Sequence, residues 1–267
     1  RATAVGAASK ASGTASFAGG TSANASGTNS VAIGGSMTAA DAAQAIGAQA
    51  IALGTKSKAS ADNTIAQGNA ANASAVNATA IGTESKASAA NATAIGRNAN
   101  ATAENAIAQG TDANATAVNA TAIGTESVAS GQYATALGTA SNATAIHTVA
   151  IGSASTASKD GAFAGGYNST AAGKKSVALG FNAQANNEND VALGAGSITD
   201  AANPTSGMIV GREQYTFAGA NPTSVVSIGS AGSERQIQNV AAGRVSGTST
   251  DAVNGSQLYA VADAINK

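Results

Sequence analysis

The chain has no cysteine and no tryptophan, and only four phenylalanines, four tyrosines and two prolines among 267 residues. Without cysteine there is neither a disulfide framework nor a thiolate metal site, and the absence suits a chain exported unfolded. So few large side chains exclude a conventional globular core, because alanine contributes little buried area. Charged residues make up 10% of the chain and the formal net charge is −1, against a usual charged share of about a quarter. That balance excludes the basic surface a nucleic acid needs and the high charge of a disordered chain. No run approaches the ~18 apolar residues of a membrane-spanning helix, and no Met-led signal peptide is present. The opening Arg1-Ala2-Thr3-Ala4-Val5-Gly6 already falls at the end of a repeat, so the chain reads as a piece of something longer.

What is present is periodic. The phrase Thr121-Ala122-Ile123-Gly124 recurs with its glycine at Gly54, Gly68, Gly82, Gly96, Gly110, Gly124, Gly138, Gly152, Gly166, Gly180 and Gly194, always 14 residues apart. Gly6, Gly20 and Gly34 keep the same spacing, and one 20-residue step joins Gly34 to Gly54. Alanine stands two residues before the glycine in all fourteen copies, from Ala4 to Ala192. A second alanine stands five after it in thirteen of fourteen (Ala11, Ala25, Ala39 and on to Ala185), with Thr199 the exception. A repeat protein is therefore expected.

Helical repeats need about 30 residues or more, and the glycine and β-branched content opposes a helix. Fourteen residues suit one coil of an all-β solenoid with two short strands and two turns. The repeat glycine turns the first corner with a backbone other residues resist. Asn63, Asn77, Asn91, Asn105 and Asn119 suit the second turn. Strand alternation puts the invariant alanine inside a thin roll, beside small residues such as Ala183 and Ala185. The larger residues beside it then face outward: Ile33, Leu53, Ile81, Ile95, Ile123, Leu137, Ile151, Leu179 and Leu193 form an apolar stripe. A stripe that long needs a partner, and self-association is the simplest one. The segment 35–53 carries six extra residues and is expected as a bulging loop between coils or a slipped partial repeat. Segments 72–85 and 114–127 are nearly identical and three periods apart, a duplicated cassette rather than a site.

After Gly194 the rhythm fails and both prolines appear, Pro204 and Pro222. Two more glycine-closed strands are expected at Met208-Ile209-Val210-Gly211 and Val225-Val226-Ser227-Ile228-Gly229. Ser249, Thr250 or Asp251 is the expected helix cap, with Leu258, Val261 and Ile265 opening a heptad seam.

At these residues the chain resembles the head of the YadA-like trimeric autotransporter adhesins of Gram-negative bacteria. Asn29-Ser30-Val31-Ala32-Ile33-Gly34 and Ala39 match that family's head repeat, with Met37 replacing a serine; Asn189-Asp190-Val191-Ala192-Leu193-Gly194 keeps Ser197 but loses the last alanine. Asn239-Val240-Ala241-Ala242-Gly243 and Asp251-Ala252-Val253-Asn254-Gly255-Ser256-Gln257-Leu258 match its neck. The resemblance implies a homotrimer of left-handed parallel β-rolls of 14-residue repeats, whose neck (Asn239, Val240, Asp251, Val253, Asn254, Leu258) leads into a short helical coiled-coil start. The implied boundaries are 1–199 for the head, 200–233 for an irregular β insert, 234–258 for the neck and 259–267 for the stalk start. The implied function is attachment to host cells or extracellular matrix from the bacterial outer membrane, by a multivalent surface, with the membrane anchor outside this chain. Related heads are linked to collagen-type ligands, but many copies here begin with Thr rather than Ser-Val. Asn29, Ser30, Lys174 and Lys175 are the expected ligand contacts, with Lys56, Lys58, Lys86 and Arg97 as further exposed charges.

No enzyme chemistry, cofactor or metal is expected. His147, the single histidine, takes a turn position where other coils have Asn, and Glu84 and Glu126 repeat one solvated turn position rather than forming an acid–base pair. The glycines do not open a helix after a strand, as phosphate loops require. The acyltransferase-type solenoid repeats every six residues, and calcium-binding rolls need an aspartate in each repeat. The alternative is an ice-binding or other non-adhesive structural solenoid, since Thr79, Thr93, Thr121 and Thr135 align, although Ile51, Ile65, Ile107 and Val149 interrupt the row.

Overall fold

A computed structural model describes residues 1–266. From Thr3–Val5 to Val191–Leu193 the chain winds as a parallel β-solenoid in which three-residue and two-residue strands alternate. Among the described residues the longer strands stack into one fifteen-stranded sheet and the shorter ones into a thirteen-stranded sheet. The register follows the sequence period without slipping: Ala80 pairs with Ala94, Ala94 with Ala108 and Ala108 with Ala122.

Each coil is two similar halves. In the coil that starts at Gly82, the backbone enters the left-handed region at Glu84 (φ 59°) and again seven residues on at Asn91 (φ 58°). After each of these turns two small residues point inward, Ser85 and Ala87, then Ala92 and Ala94, and all four are fully buried. The interior is therefore lined by alanine, serine and threonine, so the two sheets approach too closely for anything larger. Most buried serines avoid a desolvation cost by bonding back to a turn, as Ser85 Oγ donates to the Gly82 carbonyl at 2.9 Å and Ser127 Oγ to that of Gly124 at 2.8 Å, whereas Ser30 Oγ is buried without a partner among the described residues.

The corner glycine has two reasons to be glycine. At Gly124 φ is +132°, and a Cβ built there would lie 2.4 Å from the Gly138 carbonyl oxygen of the next coil. Both the backbone conformation and the coil-to-coil spacing exclude a side chain.

The long step is a loop inside one coil, not a unit between coils. Residues 36–41 leave the first turn through a short 3-10 helix, Ala39–Asp41, with Met37 97% exposed at its tip. The strand then resumes at Gln44–Ala45, which pairs with Asn24–Ala25 and Lys58–Ala59. The inner alanine of this coil is therefore Ala45 and not Ala39, which stands five after the glycine only by coincidence of spacing. The Ala43 amide closes the loop by donating to the Gly34 carbonyl at 2.9 Å, the bond Ser57 makes to Gly54 in the next coil.

Past Leu193 the two expected strands have different fates. Gly207–Val210 pairs with Glu213–Thr216 as an antiparallel hairpin that turns through Gly211 (φ 65°). Val226–Ser227 instead returns to the roll as its last parallel strand, pairing Val191 with Val226 and Ala192 with Ser227. The 200–233 segment is thus an excursion that closes the roll, and Ser227 stands where each coil has its inner alanine. The hinge of this return is Asp190, buried, whose carboxylate accepts from the Val225 amide at 3.0 Å and the Asn187 side-chain amide at 2.9 Å.

The α-helix at the C-terminal end, Gly255–Ile265, is capped by Asn254 rather than by Ser249, Thr250 or Asp251. Asn254 wins because Gln257 stands three residues later and the two complete a reciprocal capping box. No helix residue is buried. The stalk start expected at 259–267 is described to Asn266, with Lys267 outside the described residues.

Candidate functional site

The two sheets stand back to back across the alanine interior, so their outer faces point opposite ways and carry different chemistry. On the fifteen-stranded sheet the stripe residues align across the ladder: Ile33 with Leu53, Ile81 with Ile95, Ile123 with Leu137, Leu137 with Ile151, and Leu179 with Leu193. Leu53, Ile81, Ile95 and Ile123 are half-buried among their neighbours, whereas Ile33, Leu137, Ile151, Leu179 and Leu193 are exposed, Leu193 by 46%. Gln67 and Gln109 and two glycines interrupt the row, and two phenylalanines cover the glycine gaps. A Cβ on Gly165 would meet the Phe163 ring at 2.8 Å, and one on Gly19 the Phe17 ring at 3.1 Å, so each ring lies over the missing side chain. This compensation was legible as the repeated Phe-Ala-Gly-Gly of residues 17–20 and 163–166.

The outer face of the thirteen-stranded sheet is polar. One row runs Lys58, Asn72, Lys86, Asn100, Asn114 and a second runs Ser60, Ser74, Ser88, Thr102, Thr116. Asn100 Nδ2 donates to Asn114 Oδ1 at 2.9 Å along the first row. At the second turn the asparagines form a side-chain ladder: Asn63 to Asn77 at 3.2 Å, Asn77 to Asn91 at 3.0 Å, then Asn91 to Asn105 and Asn105 to Asn119 at 3.1 Å. The ladder passes into aromatic rings, with Tyr133 and His147 stacked at 4.9 Å between centroids and 4° between planes. The threonine row is broken in register, Thr93 and Thr121 both pairing with Ile107.

Of the expected ligand contacts, Asn29 lies exposed in a turn (φ 57°) and Lys174 and Lys175 are exposed. Ser30 is fully buried in the roll and offers no surface to a ligand, because it stands at an inward position of its coil. Among the further charges, Lys56 pairs with Asp41 at 3.5 Å and Arg97 with Asp112 at 3.0 Å. Glu84 and Glu126 are exposed turn residues three coils apart. Among the described residues no three His, Asp or Glu side chains gather as a metal site.

The neck is held by a compact set of bonds. Gln257 Oε1 accepts from the Gly243 amide at 3.0 Å and Nε2 donates to the Gly243 carbonyl at 2.7 Å. Asn254 Nδ2 donates to the Val240 carbonyl at 3.0 Å, next to Asn239, whose φ is 61°. Asp251 takes two bonds from the Arg244 guanidinium, at 2.8 and 3.1 Å, which hold its carboxyl below the usual range. Val253 and Leu258 are exposed, together with Ile237. Sequence reasoning named Asn239, Val240, Asp251, Val253, Asn254 and Leu258 but missed Gln257 as the bonding hub; the Asn-to-Gln spacing of a capping box was the available signal. It also missed Arg235, which clamps neck to roll: its guanidinium donates to Ser197 Oγ at 2.9 Å and to the carbonyls of Ile228 and Ala195.

A parallel β-solenoid of 14-residue coils, closed by a return strand and leading through a bonded neck into a helix, defines a head-and-neck structural protein. Known proteins place it further. The YadA head domain repeat matches in successive copies over 1–23, 20–36, 45–71, 73–99, 101–127, 129–155, 143–169 and 171–197, well over half of the chain. The coiled stalk of trimeric autotransporter adhesins matches 236–267. This chain belongs to the YadA-like trimeric autotransporter adhesins. The autotransporter adhesin BtaE of Brucella suis is 54% identical over 70 residues, a stretch that covers 26% of this chain and 10% of that protein. Among solved structures, the C-terminal YadA-like domain of BPSL2063 from Burkholderia pseudomallei is 45% identical over 42% of this chain and 50% of that one, with a TM-score of 0.36. The collagen-binding domain of the Yersinia adhesin YadA is 26% identical over 85% and 89%, with a TM-score of 0.28. Family and fold point to a structural, non-enzymatic protein. Among the described residues no helix is long and apolar enough to cross a membrane.

Proposed function

We propose that this chain attaches bacteria to host cells or extracellular matrix as part of a homotrimer displayed at the outer membrane, anchored through a segment beyond it. The observation that carries this reading is the contrast between the outer faces: an uncovered apolar stripe on one sheet and a repetitive polar face on the other. The stripe suits packing against two further copies of the chain, since an apolar surface of that length is unfavourable in water. The polar face then repeats a weak contact on every coil of three chains, and multivalency supplies avidity without any single strong site. The neck supports the same assembly, because Ile237, Val253 and Leu258 are exposed in one chain and suit burial among three.

The test is the solution mass by light scattering after gel filtration, beside a truncation ending at Ala231, with both proteins assayed on matrix-coated surfaces. The expected species is near three times 25.1 kDa, lost or weakened by the truncation together with adhesion. A stable monomer in both would overturn the assembly. A trimer that adheres to no matrix or cell surface would return the protein to the non-adhesive structural solenoids.

A further inference from the structure

The side-chain ladder along the second turn has a missing rung. Coil after coil, its left-handed position carries Asn63, Asn77, Asn91, Asn105, Asn119, Tyr133 and His147, and then Gly161 (φ 69°), followed by Lys175. Tyr133 covers one face of the His147 ring. The other face looks over Gly161, where a Cβ would meet only Lys175, at 3.4 Å from its Cγ, and nothing of His147 within 4 Å. The result is an open surface slot one coil high, with an aromatic ring as one wall and a lysine side chain as the other. Strand spacing of about 4.8 Å matches the thickness of one ring inserted between two others.

The charge around the slot has one sign in excess. Lys159, Lys174 and Lys175 are the basic residues of the roll's second-turn edge, and all three fall on the two coils beyond His147. None of their ammonium groups makes a hydrogen bond or ion pair among the described residues, whose ion pairs are those of Asp41, Asp112 and Asp251. Two carboxylates share this edge, Asp160, which accepts from the Ile146 amide at 3.2 Å, and the exposed Glu188 one coil beyond Lys174, so three lysines face two acids.

Resting on the adhesion reading, we propose that this slot is a subsite for an anionic saccharide, one ring stacking on the open face of His147 while its carboxylate or sulfate is taken by the unpaired lysines. The ring supplies an apolar face for the sugar C–H groups, and the ammonium groups act as point charges that need no fixed geometry.

The test uses the intact chain and a heparin-derived hexasaccharide, with an uncharged cello-oligosaccharide of the same length as control. His147 is the sole histidine, so its ring signals are unambiguous in proton NMR. The expected result is a His147 shift with the anionic sugar alone, and at least tenfold weaker binding in Lys174→Ala/Lys175→Ala. The deciding variant is Gly161→Asn, which restores the rung in a conformation asparagine already adopts in the ladder and leaves every lysine in place. Binding unchanged in Gly161→Asn would overturn the slot and leave only diffuse charge; equal binding of the neutral sugar would overturn the charge. Wild-type protein that adheres to matrix but ignores the hexasaccharide refutes this inference alone, whereas failure to adhere refutes the reading beneath it.

Discussion

Between Ala18 and Ala192 the roll buries alanine after alanine completely, yet from residue 200 to 266 no residue is buried at all. The larger apolar side chains stand outside that core in both regions: Ile33, Leu137 and Leu193 on the roll and Ile209, Ile237, Val245, Leu258 and Ile265 beyond it are all exposed. This reverses the usual rule that large hydrophobes mark the core. The roll obtains its order from repetition, since every coil offers its neighbours a complete ladder and a matching row of small side chains, as in other one-dimensional repeat folds. The region beyond it has no repeating neighbour and relies on local bonds such as Arg235, Arg244–Asp251 and Gln257. Its apolar side chains are left for other chains in the proposed trimer.

The largest expected effect breaks the roll at a corner. Gly124→Val places a side chain 2.4 Å from the next coil's carbonyl at a φ of +132°. A loss of about 3 kcal/mol or more follows. Gly247 has nothing within 4 Å of its Cβ direction, so Gly247→Val changes stability by about 0.5 kcal/mol or less. Urea unfolding followed by far-UV circular dichroism compares the two, and similar losses would erase the contrast between the regions.

A second pair separates inside from outside on adjacent residues. Ala122 is fully buried between Ala108 and Ala136, so Ala122→Leu overfills the interior and costs about 1–3 kcal/mol. Ile123 faces outward and is half-buried, so Ile123→Ser changes the coil by about 1 kcal/mol and acts mainly on assembly. Thermal midpoint and solution mass read the two effects separately: the first variant moves the midpoint, the second the mass.

The sequence shows so much of the roll because its constraints are steric and local. A corner that admits only Gly124 and a slot that admits only Ala122 leave their mark in every copy, and their alternation fixes the face of Ile123. Where spacing coincided with a different backbone path it misled, as at Ala39, whose role passes to Ala45 once the loop closes at Ala43. Ser30 shows the same limit, since a family match says nothing of burial and strand parity puts it inside. The return of Val226–Ser227 lay beyond periodicity, because it depends on Asp190 reaching an amide 35 residues away.

That carboxylate gives the next prediction. Burial alone would raise the Asp190 pKa, but bonds from the Thr199 hydroxyl, the Val225 amide and Asn187 outweigh it and hold the group below its ordinary value. A depressed folded pKa means the stabilisation is fully present above about pH 4 and is lost as pH falls through the lower folded value. The protection factor of the Val225 amide, corrected for the intrinsic slowing of exchange with acid, is expected to fall as pH drops below about 4. Asp190→Asn keeps an acceptor, costs about 1–3 kcal/mol and removes that pH dependence; an unchanged pH profile in this variant would show that Asp190 is not the latch.

The smallest effect lies at the turns. Asn91 accepts from Asn77 and donates to Asn105 while holding φ at 58°, whereas Asn239, the one left-handed non-glycine residue described beyond the roll, has φ 61° in the neck. Asn91→Ala removes both ladder bonds and places in the left-handed region a residue that tolerates it less well than asparagine, for a loss of about 1 kcal/mol. Asn91→Gly relieves the backbone and loses only the ladder, for roughly half as much. At Asn239 the same glycine substitution should be neutral to within about 0.5 kcal/mol, since what the neck needs there is the conformation. Chemical denaturation of the three variants orders them, and a glycine at 91 as stable as the asparagine would show that the ladder follows the turn rather than supporting it.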